Sequence, residues 1–328
     1  MNQRPAISCS DCETNLGRRT FVRAIGATAL AAAAGPALFS RFVHAAPSEK
    51  SEAEGAVARL YGLLSDEQKK TVCFEFENPL RSRISANWHI TKPVIESAFY
   101  TKDQQALIDE IVRKVTSADG YERIKKQTEY DDGGLGSYSI ALFGTPGSGK
   151  FEWELTGRHL TLRADGNSTD KAAFGGPIVY GHGDEDPKEN LFHYQTKQAN
   201  EVFKALDPKQ AAKALIAKAP GEANVPLQGE QGKFPGVAVS ELSADQKKLV
   251  EDTLKVLLSP YRTEDVDEVM EILKSTGGID KLHMAFYQQE DLNSDKLWDI
   301  WRVEGPSMVW HFRGAPHVHA YINIGVKG

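Results

Sequence analysis

Three histidines near the C-terminus, His311, His317 and His319, are the residues whose type and spacing could most readily do chemistry. Neutral imidazole is a good ligand for copper, zinc and iron, and two or three imidazoles held on rigid strands make a metal site. Strand alternation places His317, His319, Tyr321 and Asn323 on one face, with Val318, Ala320, Ile322 and Ile324 on the other. In the preceding segment Val309, His311 and Arg313 share a face, and a three-residue Gly314-Ala315-Pro316 loop would set His311 opposite His319. A fourth imidazole, His159, follows Gly157-Arg158 and would share a strand face with Trp153 and Leu155.

His159, His317 and His319 are thus the predicted ligands, with His311 as a fourth ligand or a neighbour that holds one. Arg158 or Arg313 would hold an anionic small-molecule substrate, and Tyr321 would wall the pocket or tune the metal. Copper leads the candidate metals, ahead of iron and zinc; copper or iron implies an oxidoreductase. Zinc on the same ligands implies a hydrolase, in which metal-bound water attacks and Glu304 or Glu154 takes its proton. A third reading is a non-enzymatic protein that captures metal or a small ligand. Against all three stands a plain alternative, in which His159 packs on tryptophan and the other histidines form a solvated sheet face.

The remaining chemistry-bearing residues carry less. His182 sits in a Gly-rich loop beside Asp184, Glu185 and Asp186, which reads as a second site or a hydrated turn; His89, His193 and His283 read as structural. Gly144-Thr-Pro-Gly-Ser-Gly149-Lys150 imitates a phosphate-binding loop, but Phe151 replaces the magnesium-binding hydroxyl and a strand pattern follows where a helix is required. A hairpin loop is the better reading. No Gly-x-Ser-x-Gly elbow exists, and Cys73 has no visible catalytic partner.

The first 46 residues read as a cleaved export signal. Gly17-Arg18-Arg19-Thr20-Phe21-Val22-Arg23 precedes an Ala-rich apolar run, and Ala45-Ala46 offers the cleavage site, the pattern read by the twin-arginine translocase. The mature chain is therefore expected in the periplasm or secreted, with no membrane attachment once the signal is removed. Cleavage removes five arginines against Asp11 and Glu13, taking the net charge from −6 to −9. That argues against nucleic acid or anionic lipid as a partner. Cys9 and Cys12 fall within the signal, so their spacing is not redox or zinc chemistry, and Cys73 alone remains.

The elements that must position the histidines form an α+β fold of antiparallel sheets with packed helices. Ser65, Thr101 and Ser243 each precede a glutamine by three residues, the capping-box signal of a helix start. Apolar spacing after Thr101 and Ser243 is helical, whereas residues 138–143, 151–164, 282–288, 297–303, 308–313 and 317–324 read as strands. Residues 209–236 read as a helix trailing into a connector, which divides the mature chain into halves at 47–235 and 236–328. Trp153-Glu-Leu-Thr-Gly157 matches Trp301-Arg-Val-Glu-Gly305, each with a glycine nine residues on, a pattern consistent with a pseudo-twofold pair of αα-βββ units.

Several of these segments resemble a bacterial family known only as a domain of unknown function, whose members are often exported. The resemblance rests on Arg83-Ile-Ser-Ala-Asn-Trp88, on Phe143-Gly-Thr-Pro146 with the Trp-rich strand into Gly157-Arg-His-Leu160, and on Arg302-Val-Glu-Gly-Pro306 with Pro316-His-Val-His319. It covers most of the mature chain and implies that His159, His317 and His319 belong together, without supplying a reaction. Arg158 stands where the family usually has the first histidine of a pair, and His311 where many members have an acid.

Overall fold

The computed structural model describes residues 46–327, so the signal predicted over residues 1–46 lies almost wholly outside the described residues. The described residues belong to one compact unit. In chain order they form α1 (Glu52–Leu63), α2 (Asp66–Val72), β1 (Cys73–Phe74), α3 (Lys102–Lys114), α4 (Ala118–Asp132), β2 (Ser139–Gly144), β3 (Phe151–Gly157), β4 (Leu160–Ala164) and β5 (Ile178–His182). There follow α5 (His193–Lys204), α6 (Pro208–Ala214), β6 (Leu215–Ile216), β7 (Val237–Ala238), α7 (Ala244–Leu258), α8 (Thr263–Ser275), β8 (His283–Tyr287), β9 (Ile300–Gly305), β10 (Met308–Arg313) and β11 (Val318–Ile324).

The predicted capping boxes form at Ser65, Thr101 and Ser243, and a fourth forms at Asp207, where Pro208 fills the first helical position. Their glutamines also tie helices together. Gln104 donates to Gln68 Oε1 at 2.9 Å and to the Leu63 carbonyl at 2.8 Å. Gln246 donates to Gln210 Oε1 at 2.8 Å and to the Ala205 carbonyl at 2.7 Å, with the same sequence separations of 36 and 41 residues.

All strands join one mixed eleven-stranded sheet in the order β1-β2-β3-β4-β5-β11-β10-β9-β8-β6, with β7 on β8. The expected antiparallel sheets are thus one sheet, antiparallel except for the short outer pairs β1–β2 and β6–β8. The element order repeats along the chain: two α-helices and a short strand, two more helices, then a four-stranded meander, with β7 an addition in the second copy. The unit is larger than the αα-βββ unit expected, and its second copy starts at α5 rather than near residue 235.

The sheet's two faces divide the chemistry. Trp153, Leu155, Leu160, Leu162, Tyr180, Ala320, Ile322, Trp310, Phe312 and Trp301 point to one face and form the main apolar core with the helices. The other face carries Glu154, Thr156, Thr161, Arg163, His319, Tyr321, His311, Arg302 and Glu304, most of them buried. No helix covers it. It is roofed by two straps, 75–95 and 217–236, each following one of the short outer strands. The second strap is the segment expected as a flexible connector. It is pinned where Arg302 donates to the Asn224 carbonyl (3.0 Å), Asn323 to the Val225 carbonyl (2.9 Å), Gln228 to Glu304 (2.8 Å) and Gly229 N–H to the Pro306 carbonyl (3.0 Å).

The expected strand over residues 151–164 is a hairpin, because the chain reverses at Arg158-His159 with Gly157 paired to Leu160. His159 therefore does not share a strand face with Trp153 and Leu155. It takes a left-handed conformation, φ 56°, which costs a non-glycine residue about 1–2 kcal/mol. Its N–H donates to the Ala86 carbonyl of the first strap at 2.6 Å, which fixes the turn. The Gly144–Lys150 segment is the loop of the β2–β3 hairpin, as its sequence context implied. No described helix is long and apolar enough to cross a membrane.

Candidate metal centre

One end of the sheet gathers three imidazoles. His159 comes from the β3–β4 turn, and His317 and His319 from the start of β11. One nitrogen of each lies within 4.8 Å of the others, and this is the one such group of His, Cys, Asp or Glu among the described residues. The Nε2 atoms of His317 and His319 are 3.1 Å apart, and the His159 ring centroid lies 5.1 and 4.7 Å from those of His317 and His319. His159 is buried, the other two half-buried.

Two carboxylates hold the outer nitrogens. Asp131, at the end of α4, accepts from His159 Nδ1 at 2.8 Å and, through its other oxygen, from Gly183 N–H at 2.9 Å. Glu222, from the second strap, lies 3.2 Å from His319 Nδ1. A carboxylate accepts, so both rings donate through Nδ1 and present bare Nε2 lone pairs to the shared space. This is the carboxylate–histidine arrangement that orients metal ligands and raises their basicity. His317 Nδ1 is buried without a partner among the described residues, so His317 is the least constrained of the three.

The charge environment fits neutral ligands. Burial, then His319 and Arg313 nearby, pushes His317 down to about 4. Burial also lowers His319, against the opposing bond from Glu222. Burial alone would raise Glu222, but its bond to His319 and the charges of His319 and Arg313 pull it to about 2. Asp131 follows the same logic: burial is outweighed by the bonds from His159 and Gln127, and the carboxyl is lowered. Both carboxyls are thus lowered, and so are the imidazoles of His317 and His319.

Of the other predicted residues, Arg313 pairs with Glu222 (3.1 Å) and donates to the His317 carbonyl (3.3 Å), while Tyr321 donates to Glu222 at 3.4 Å. Both therefore act on the ligands through Glu222. Arg158 is exposed at the hairpin turn and makes no ion pair among the described residues. His311 does not join the group. The last paired residues are Arg313 and His319, so the connection between them spans Gly314 to Val318, two residues more than expected, and the register moves by two, setting His311 opposite Tyr321. A shift of two keeps the face and changes the neighbour. His311 meets Arg302, whose Nε donates to its Nδ1 at 3.2 Å, and burial with that cation pushes it down to about 3.

His182 closes β5, accepts from the Leu191 N–H at 3.2 Å and stacks on Tyr130 with centroids 4.7 Å apart. It is a structural residue behind the centre. Cys73 is half-buried, and burial pushes its thiol up to about 11, which disfavours a nucleophilic role. Glu154 and Glu304, the proton acceptors expected for hydrolysis, lie further along their strands: Glu154 beside Arg163, and Glu304 bonded by Arg302 and Gln228. Asp131 and Glu222 were missed at the sequence level. Asp131 sits in an acidic helix end without periodic signal, and Glu222 in a segment with no strand or helix pattern.

No curated protein and no solved structure matches the chain. The family model of the DUF3500 proteins, described as proteins of unknown function, matches residues 47–322, and the chain belongs to that family.

Proposed function

We propose that this is an exported metalloprotein in which His159, His317 and His319 hold one copper ion as the centre of an oxidoreductase. The observation that carries the metal reading is the convergence of three imidazoles, two of them held by carboxylates at their outer nitrogens. Three unprotonated nitrogens packed this closely repel one another unless a proton or a cation lies between them. Three protein ligands also leave a coordination position for substrate, as catalytic sites do and structural sites do not. Copper stands first because divalent copper binds nitrogen sites most tightly in the first-row series, with iron and zinc behind it. The twin-arginine signal supports export, and that route carries folded protein.

Zinc-dependent hydrolysis would use the same three ligands. It is the weaker reading because neither Glu154 nor Glu304 stands at the centre, and both carboxylates that do are tied to ligand imidazoles. Elemental analysis with electron paramagnetic resonance on signal-processed protein tests the choice. About one copper per chain with a nitrogen-rich signal is expected. Stoichiometric, spectroscopically silent zinc would favour hydrolysis, and absence of metal after reconstitution would end both readings.

A further inference from the structure

Resting on the metal reading, we propose that the open side of the centre takes an anion, a small carboxylate or comparable oxyanion, and that Arg158 is the residue that docks it. Several arginines stand on this face of the sheet or in the strap above it. Arg81 and Arg163 pair with Glu152, and Arg83 lies over the Trp88 ring. Arg302 is buried and fully engaged, donating to His311, Glu304 and the Asn224 carbonyl. Arg313 is spent on Glu222 and the His317 carbonyl. Arg158 is exposed and has neither an ion pair nor an aromatic ring beneath its guanidinium among the described residues.

Its position is set by the turn that also sets His159. The Arg158 carbonyl accepts from Tyr138 Oη at 2.6 Å and from Gln127 at 3.1 Å, and Asn87 bridges it from the first strap. The backbone is thereby fixed while the side chain stays available. Gly183 supplies the measure of proximity: a Cβ built there would lie 3.5 Å from His159 Cε1 and 3.6 Å from Arg158 Nη2. Both atoms neighbour the same glycine, so the guanidinium lies near the His159 ring. The same Cβ would lie 2.6 Å from Asp131 Oδ1, so the glycine keeps this corner open and lets Asp131 reach the backbone.

A planar guanidinium beside a divalent ion suits a two-point ligand. One oxygen of a carboxylate can meet the metal and the other accept from Arg158. Lysine could supply the charge but not the fork.

The test uses signal-processed protein loaded with Cu(II), its metal content measured first. Sodium formate is titrated by absorbance and electron paramagnetic resonance, beside imidazole as a neutral ligand that needs only the metal. Arg158→Ala should weaken formate about tenfold or more, the scale of one lost charge-assisted hydrogen bond, and leave imidazole affinity within about twofold. Arg158→Lys should recover part of the loss. Full metal content with formate affinity unchanged in Arg158→Ala would overturn the anion site alone, as would equal losses for formate and imidazole. A wild-type protein that holds no metal would overturn the metal reading and this one with it.

Discussion

The two copies of the repeating unit share a scaffold and differ at one corner. In the first, the β3–β4 turn runs Gly157-Arg158-His159-Leu160; in the second, the β9–β10 turn runs Gly305-Pro306-Ser307-Met308. Asp131 Oδ2 meets His159 Nδ1 at 2.8 Å at the first corner, and Thr276 Oγ1 meets Ser307 Oγ at 2.7 Å at the second. Leu160 pairs with Tyr180 and Met308 with Ile324, so Gly325 is the counterpart of Gly181; Gly181 pairs with His319 and Gly325 bridges Ala172, which sets Ala172 in the place of His319. Leu80 stands as far past β1 as Glu222 stands past β6. His159, His319, Asp131 and Glu222 are thus matched in the second copy by Ser307, Ala172, Thr276 and Leu80. One scaffold positions two corners, and only one is furnished for a cation.

The largest expected contrast is in metal binding. His319→Ala should lower metal affinity at least about 100-fold, because it removes one of three ligands and leaves Glu222 without its partner. Ser307→Ala, at the empty corner, should leave affinity unchanged. Equal effects in the two variants, read by competition with a chelator, would break the comparison. Asp131→Asn and Glu222→Gln keep all three ligands and should cost about 10–100-fold each.

A second contrast lies in the pH dependence of stability. Glu154 is buried beside Arg163, and burial raises it to about 8, the charge of Arg163 opposing and that of Glu152 adding. The sign follows from linkage. Below the unfolded value of 4.5 the group is protonated in both states; between 4.5 and about 8 only the unfolded chain releases its proton, so stability falls across that window. Glu154→Gln should remove that slope and be more stable than wild type at pH 8, by an amount on the order of a few kcal/mol at most. The residue at the equivalent place in the second copy is Arg302, so Arg302→Gln should show no such gain. Urea melts from pH 5 to 8.5 check both.

The smallest contrast should be no contrast. Gln104→Ala and Gln246→Ala each remove the same pair of inter-helix bonds and the same capping bond, and should each cost about 1–3 kcal/mol in urea unfolding, within error of one another. A large difference would mean that the two copies share topology without sharing energetics.

How much of this was legible follows from the range of each signal. Capping boxes and the β10 and β11 spans depend on neighbours a few residues away, and they could be read directly. The Trp153/Trp301 match pointed to the repeat because it is a similarity within the chain. Loop length was harder: two extra residues between the paired positions of β10 and β11 moved His311 off His319 and beside Tyr321, which no local pattern records. The turn at His159 was hidden because Arg158 and His159 carry no glycine or proline between two apolar runs. Asp131 and Glu222 lie 28 and 97 residues from the histidines they hold, and only tertiary structure brings them there.

The central claim is tested most directly by metal content per chain in wild type and in the His159→Ala/His317→Ala/His319→Ala variant, both reconstituted with copper and checked for fold by circular dichroism. The account predicts about one tightly held copper in the wild type and none in the folded variant. Equal metal in both, or none in either, would contradict it.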